Sequence, residues 1–293
     1  MIDLLKPYKT ISIIGMDKNV GKTTLLNHLI AGFAADGQSL ALTSIGRDGE
    51  DTDLVTSTPK PRIYVPVGAI VATAEGLLPQ CDITLEVQAV TAHATPLGRI
   101  VMVRALSAGY VQLAGPSIVA QMADIIQNMP TTDKVIIDGA ISRKTFANPA
   151  IAQSAVLCTG ATLSPNMDEV AAKTRHAVDI LTLPKAHEAT DNILMEGAVT
   201  EGKIKHLITS GTNLQGKVVV ADDPTKILIT AATYEKLHIK GATLAVKSPL
   251  NLVAVAINPF SPRGGHFPPQ DFLSKMQAAL PLPVFDILEA NHV

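Results

Sequence analysis

Residues 11–24 constrain the fold more than any other part of the chain. They read Ile-Ser-Ile-Ile-Gly-Met-Asp-Lys-Asn-Val-Gly-Lys-Thr-Thr. The first four residues are mostly β-branched and predict a buried strand. Gly15 and Gly21 bound a loop in which the backbone can turn tightly and approach a ligand closely. From Leu25 to Phe33 apolar residues recur at helical spacing, so the pattern predicts a strand, a glycine-bounded loop and a helix in immediate succession.

Such a loop can hold a polyphosphate, because its backbone N–H groups point inward and the helix N-terminus adds partial positive charge. Lys22 is expected to reach the terminal phosphates, and the Thr23 hydroxyl is expected to ligate an accompanying Mg²⁺. Five residues separate Gly15 from Gly21, one more than in the common P-loop motif. An ordinary glycine-rich turn is the alternative, but Lys and Thr directly after the second glycine favour a nucleotide site. The predicted cofactor-binding residues of the loop are Gly15, Asp17, Asn19, Val20, Gly21, Lys22, Thr23 and Thr24.

The composition favours a helix-flanked parallel sheet. Apolar residues make up 47% of the 293 residues and aromatics only 3%, so the core must consist mainly of Val, Ile, Leu and Ala. We therefore predict an α/β P-loop NTPase fold: a mostly parallel sheet, helices on both faces, and an inserted small β-rich or α/β subdomain.

The same composition argues against several classes of partner. A net charge of −2 without a basic stripe makes nucleic acid an unexpected partner. No apolar run approaches the length of a membrane span, and the N-terminus lacks signal-peptide features. Cys81 and Cys158 are isolated and are expected to be reduced core thiols. We expect a cytoplasmic protein without a membrane partner; a homo-oligomer is compatible with the sequence.

The chain is expected to contain one interrupted core. The predicted parts are a nucleotide-binding core at 1–181 with a β-rich insert at about 59–113, an insert or small subdomain at 182–248, and a closing strand–helix–strand at 249–293. Prolines near residue 60 favour short edge strands at most over 59–75. Alternating apolar residues in 83–90 and 99–105 favour a half-buried, antiparallel section, with His93 in the turn between them.

A second candidate site element is Asp138, which ends the run Lys-Val-Ile-Ile-Asp. Three apolar residues followed by Asp at the end of a strand form the Walker-B arrangement, in which the carboxylate can hold Mg²⁺. The alternative is an Asp that simply caps a strand. A P-loop upstream in the same chain favours the functional interpretation.

Two polar loops are predicted to lie at the same sheet edge. Residues 44–53 include Arg47 and Asp48, with Asp48 a candidate metal ligand and a solvated acidic turn the alternative. Residues 141–149 include Arg143, which could neutralise charge on a transferred phosphoryl group. Its alternative is likewise a solvated loop.

The loop sequence Gly-Met-Asp-Lys-Asn-Val-Gly-Lys-Thr resembles the longer loop of dethiobiotin synthetase and the cobyrinic acid amide synthases, Gly-Thr-Asp-x-x-Val-Gly-Lys-Thr/Ser. Asp17 stands where the nitrogenase iron protein and its partitioning relatives carry a signature lysine. In the synthetases a strand ending in Asn precedes a helix and Leu-Pro-x-Pro; Asn258 and residues 280–283 match this pattern. The resemblance implies that Asn258 recognises the nucleotide base, whereas a strand-capping Asn is the alternative. The strand that ends at Asp138 differs from its counterpart in the synthetases. This chain has Asp138-Gly-Ala-Ile-Ser where the synthetases have Glu-Gly-Ala-Gly-Gly.

A second resemblance spans most of the chain. Residues 43–50, 59–65, 137–144 and 257–262 resemble the smaller subunit of the lysine 5,6-aminomutase or ornithine 4,5-aminomutase reactivase. This resemblance implies an ATP-using partner of a larger ATPase subunit, acting on an adenosylcobalamin-dependent aminomutase.

The sequence leaves three functions open. The first is an ATPase, with ATP and Mg²⁺ as cofactors, that drives a conformational change in a partner. The second is a synthetase that phosphorylates a small-molecule carboxylate. The third is a nucleotide-binding module without turnover. Asn258-Pro lacks the Asn-Lys-x-Asp pattern of guanine sites, which favours ATP over GTP.

Overall fold

The protein has an α/β fold built on a large central sheet, as the sequence predicts. The computed structural model describes residues 1–46, 62–139, 151–187, 192–262 and 264–288. Its strands are β1 (Thr10–Gly15), β2 (Leu40–Ser44), β3 (Ile63–Val65), β4 (Ile70–Ala74), β5 (Leu85–Thr95), β6 (Gly98–Ala105), β7 (Gly109–Val111), β8 (Lys134–Asp138), β9 (Ser154–Gly160), β10 (Ile193–Leu194), β11 (Val199–Thr200), β12 (Val218–Ala221), β13 (Ile227–Leu228), β14 (Thr243–Val246), β15 (Leu252–Asn258) and β16 (Val284–Asp286). Its α-helices are α1 (Ile2–Leu5), α2 (Lys22–Ala35), α3 (Val119–Asn128), α4 (Met167–Leu181), α5 (Glu201–Thr209), α6 (Ala231–Ile239) and α7 (Pro269–Ala279).

The central sheet has nine strands in the order β16-β15-β9-β1-β8-β2-β4-β6-β5. Every neighbouring pair from β16 to β4 is parallel. The last two pairs, β4 with β6 and β6 with β5, are antiparallel. The glycine-bounded loop therefore leaves a strand near the middle of the sheet.

Helices cover both faces of this sheet. On one face Ile11 and Ile13 of β1 pack in a core with Leu25 and Phe33 of α2. The adjacent residue Ile14 points to the other face, where it packs with residues of α4 and α7. Side chains alternate along a strand, so a fully buried strand needs apolar residues at successive positions. The β-branched run at the start of the sequence motif meets this requirement.

The antiparallel section forms as predicted, but two details of the prediction are wrong. β4 is a fully buried interior strand between β2 and β6, not a short edge strand. The last proline of this group is Pro66, so β4 contains no proline and its backbone can pair on both sides. His93 lies within β5, and its Nε2 is 2.6 Å from Asp124 Oδ2 of α3; the turn comes later, at 96–97.

Residues 183–246 contain a second, smaller core. β10, β12 and β14 form a three-stranded parallel sheet, packed with residues of α5 and α6. The Glu201 carboxylate accepts hydrogen bonds from the Thr233 hydroxyl and the Thr230 N–H, which join the starts of the two helices. These bonds lower the pKa of Glu201 to about 2.

In the ranges that the structure describes, no helix is both long and apolar enough to cross a membrane.

Lys134, the first residue of β8, binds the backbone at the end of α1 and just after it. It is only 3% exposed, and its Nζ donates to the carbonyls of Lys6 at 2.5 Å and Tyr8 at 2.8 Å. The same atom is 5.1 Å from the ring centroid of Phe33 on α2. A buried ammonium is stable only when such partners replace water. Lys134 thus ties the chain's first segment to the helix that follows the loop.

We expect Lys134→Met to lower the free energy of unfolding by about 2 kcal/mol, because buried carbonyls lose their donor while the apolar stem is kept. Urea denaturation followed by circular dichroism measures the change. Lys275→Met is the control, since that lysine makes an exposed ion pair with Asp168 and should change stability by under about 1 kcal/mol. Equal stability of the two variants would contradict this role for Lys134.

Candidate functional site

The carboxyl ends of the parallel strands bring the predicted site residues together at one edge of the sheet. Strand register places Ile13 of β1 beside Asp138 of β8, and Ser44 of β2 on the other side of Asp138. On the opposite flank of β1, Gly15 lies beside Cys158 of β9. Open α/β sheets bind ligands at this edge.

Lys22 folds back across the start of the loop. A Cβ atom at Gly15 would lie 2.6 Å from Lys22 Cδ and 2.8 Å from Lys22 Nζ. No residue with a side chain can therefore occupy position 15 unless the lysine moves. The glycine leaves room for this close approach, which places the ammonium group beside the end of β1.

Gly21 precedes α2 and leaves the N-terminus of this helix without a side-chain cap. It is the N-cap of α2 with φ +89°, a left-handed conformation that favours glycine, and it offers no side-chain cap. The first N–H groups of a helix lack intrahelical acceptors, so those of Lys22, Thr23 and Thr24 can bind an anion. The helix dipole favours a negative ligand at the same place.

The other predicted loop residues have distinct environments. Val20 is fully buried in the core beneath the loop, so only its backbone can face a ligand. Asp17 is exposed, and its Oδ1 accepts from the Lys18 N–H at 2.7 Å. Asn19 has φ +60°, the one positive value among the described non-glycine residues. Its backbone carbonyl accepts a hydrogen bond from a residue of another strand of the central sheet.

That contact comes from Asn258, the last residue of β15. Its Nδ2 donates to the Asn19 carbonyl at 3.3 Å, and its Oδ1 accepts from the Phe260 N–H at 3.0 Å. The side chain is 7% exposed. Asn258 therefore joins the glycine-bounded loop to the loop after β15, and its recognition of a base remains a prediction.

Asp138 presents a carboxylate to the same face as the loop. Alternation along β8 places it on the side of Ile136, which packs in the core with α2. Its Oδ1 is buried and has no hydrogen-bond partner among the described residues. Burial raises the pKa of Asp138 from its ordinary value, and the Lys22 ammonium opposes that rise.

An oxygen ligand placed in this way fits Mg²⁺. The ion is usually held by one or two carboxylates together with substrate phosphates and water, not by a cage of protein groups. In the described ranges, no cluster of three or more His, Cys, Asp or Glu occurs. Asp138 and Thr23 are the groups that would hold the ion.

Two neighbours of the site were not singled out by sequence. Cys158 is fully buried, and burial raises the pKa of its thiol to about 12, so it stays protonated and adds no charge beside Lys22. Ile287, just after β16, covers Gly21 so closely that a Cβ there would clash with its Cδ1. Neither residue belongs to a motif, and only strand order brings them to the loop.

Three predicted residues lie outside the described residues: Arg47, Asp48 and Arg143. The segment that carries the first two leaves β2 directly beside Asp138, where the Ile45 N–H and the Ser44 hydroxyl donate to the Asp138 carbonyl at 3.0 and 3.2 Å. The segment that carries Arg143 follows Asp138 along the chain. Their roles stay predictions.

Comparisons with known proteins give no relative: no protein-family model, no curated protein and no solved structure matches the chain.

We expect Asp138→Asn to raise the free energy of unfolding at neutral pH when no ligand is added, because the variant replaces a buried carboxylate, whose Oδ1 has no hydrogen-bond partner among the described residues, by a neutral group. Because the pKa of Asp138 is higher in the folded protein than in the unfolded chain, the unfolded chain loses this proton at a lower pH than the folded protein does. The cost of the carboxylate is therefore present at neutral pH and fades as pH falls toward 3.8, the ordinary value for Asp.

Urea denaturation of both proteins between pH 4 and pH 8 measures this gap. Asp271→Asn is the control, because it removes an exposed carboxylate in the first turn of α7 and should slightly lower stability. A constant gap across the pH range would show that the Asp138 carboxyl carries no such cost.

Proposed function

We propose that the chain is a P-loop NTPase that binds ATP with Mg²⁺ at the glycine-bounded loop. One observation carries this proposal: the Lys22 side chain lies across Gly15 at the same sheet edge where the Oδ1 of Asp138 is buried without a hydrogen-bond partner among the described residues. An ordinary strand-to-helix turn needs neither feature. A buried carboxyl oxygen of this kind is costly unless a ligand completes it.

Each group has a defined part in holding the nucleotide. The N–H groups at the start of α2 bind phosphate oxygens, and the Lys22 ammonium offsets the charge of the terminal phosphates. Thr23 and Asp138 would hold Mg²⁺, which offsets charge on the transferred phosphoryl group. Arg143 is proposed to add positive charge, as the sequence predicts. Positioning and charge supply most of the catalysis in such a site.

We expect Lys22→Ala to reduce Mg²⁺-dependent ATP hydrolysis at least about a hundredfold, because the variant loses its charge on the terminal phosphates. Phosphate release from purified protein measures the rate. Lys9→Ala is the matched control, since this exposed lysine lies at the opposite end of β1. Turnover that Lys22→Ala leaves intact would reject the site, and wild-type protein that binds ATP without turnover would favour a binding module.

We further propose that hydrolysis drives a conformational change in a partner protein, as the resemblance to the aminomutase reactivase implies. Exposed apolar side chains support a role in protein contacts. In the antiparallel section Val67 is 64% exposed, Val90 54%, Leu106 51% and Tyr64 48%. These side chains are available for contact with a partner protein. The proposed partners are a second ATPase subunit and an adenosylcobalamin-dependent aminomutase.

A synthetase is the second candidate, and one cavity favours it. A cleft of about 240 Å³ opens at the site edge of the sheet, lined by Gly46, residues 94–97, residues 114–118 and Gln121. Gly46 follows the strand end that lies beside Asp138. A small carboxylate bound there would lie on the same edge as the terminal phosphate.

Affinity capture from the native host distinguishes these candidates. We expect an aminomutase or a second ATPase subunit to be retained by the tagged protein with ATP and Mg²⁺, and to be lost from Lys22→Ala. Hydrolysis that the captured partner accelerates would support the first function. Hydrolysis that small carboxylates accelerate, without any retained protein, would support the synthetase and reject the partner-driven function.

A further inference from the structure

Two exposed aromatic rings lie stacked in the loop after β15. The ring centroids of Phe260 and His266 are 4.4 Å apart, and the ring planes differ by 14°. Phe260 is 48% exposed, and His266 is exposed as well. Water solvates such a flat apolar surface poorly, so a planar ligand would gain by covering it.

The stacked pair is fastened to the glycine-bounded loop. Phe260 donates its N–H to Asn258 Oδ1, and Asn258 Nδ2 donates to the Asn19 carbonyl. The Asn258 side chain also lies directly against Gly21, because a Cβ built at Gly21 would be 3.4 Å from the Asn258 Cβ. Two hydrogen bonds therefore connect the aromatic pair to the loop that would hold phosphates.

The pair is also held in a fixed orientation. Phe267 donates its N–H to the Pro259 carbonyl at 3.0 Å, and its buried ring packs against Phe272 of α7. The Ser261 N–H donates to His266 Nδ1 at 3.2 Å. An Nδ1 that accepts a hydrogen bond carries no proton, so the neutral imidazole has its hydrogen on Nε2. Neither ring needs to be ordered when a ligand arrives, which favours binding.

We propose that Phe260 and His266 form the stacking platform for the purine ring of the bound nucleotide. This inference rests on the proposed nucleotide site. Asn258 then acts as a positioning residue that holds the platform in register with the loop, since both its amide atoms already have partners. Stacking on aromatic rings tolerates any base, so the platform supplies affinity for the base and not a choice between adenine and guanine.

The test compares two ligands that share a phosphate tail. Calorimetry with Mg²⁺ is performed with ATP and with tripolyphosphate, which has neither base nor ribose. We expect Phe260→Leu to weaken ATP binding about tenfold and to leave tripolyphosphate binding unchanged. Phe260→Trp keeps an aromatic ring and should retain ATP affinity. Tyr110→Leu is the matched control, because this exposed aromatic lies in β7, away from the loop after β15, and packs edge to face against Tyr64.

The outcomes separate the stacking platform from the nucleotide site on which it rests. If the wild-type protein binds neither ligand, the phosphate site fails and the platform fails with it. If the wild-type protein binds both and Phe260→Leu weakens both equally, Phe260 shapes the loop and the platform is rejected. Unchanged ATP affinity in Phe260→Leu also rejects it. Selective loss of ATP affinity, restored by Trp, supports it.

Discussion

The close approach of Lys22 to Gly15, opposite the Asp138 carboxylate, is the constraint on which the rest of the site depends. It requires a residue without a side chain at position 15 and a helix that begins at Lys22. The parallel register of β8 places its last residue, Asp138, beside Ile13 of β1, two residues before Gly15. Strand order and register in the central sheet therefore determine which charged groups lie at this edge.

The site is built at a cost to the ligand-free fold. Asp138 Oδ1 is buried without a hydrogen-bond partner among the described residues, and the N-terminus of α2 has no side-chain cap. Both lie at the same edge of the sheet, because β8 pairs with β1, the strand that leads into α2. Polar groups that a ligand could complete at this edge are what a functional site would require.

The loop after β15 extends this edge away from the glycine-bounded loop. Asn258 connects it to Asn19, and the neighbouring strand end at Gly160 packs directly against the Asn258 backbone, with the Ala161 N–H donating to the Asn258 carbonyl at 3.0 Å. Direct contacts therefore join the loop after β1, the end of β9 and the end of β15.

Sequence alone determined the local elements at the site: the β-branched strand, the glycines, the helix and the Asp at the end of β8 all follow from short-range pattern. It failed where long-range pairing decides, because the prolines before β4 concealed an interior strand, and the alternation around His93 did not locate the turn. Only the tertiary structure placed Cys158 and Ile287 against the loop and joined Asn258 to Asn19, since residues distant in sequence meet there through strand order. Residue chemistry sets what the site can bind, and the sheet topology decides which residues share it.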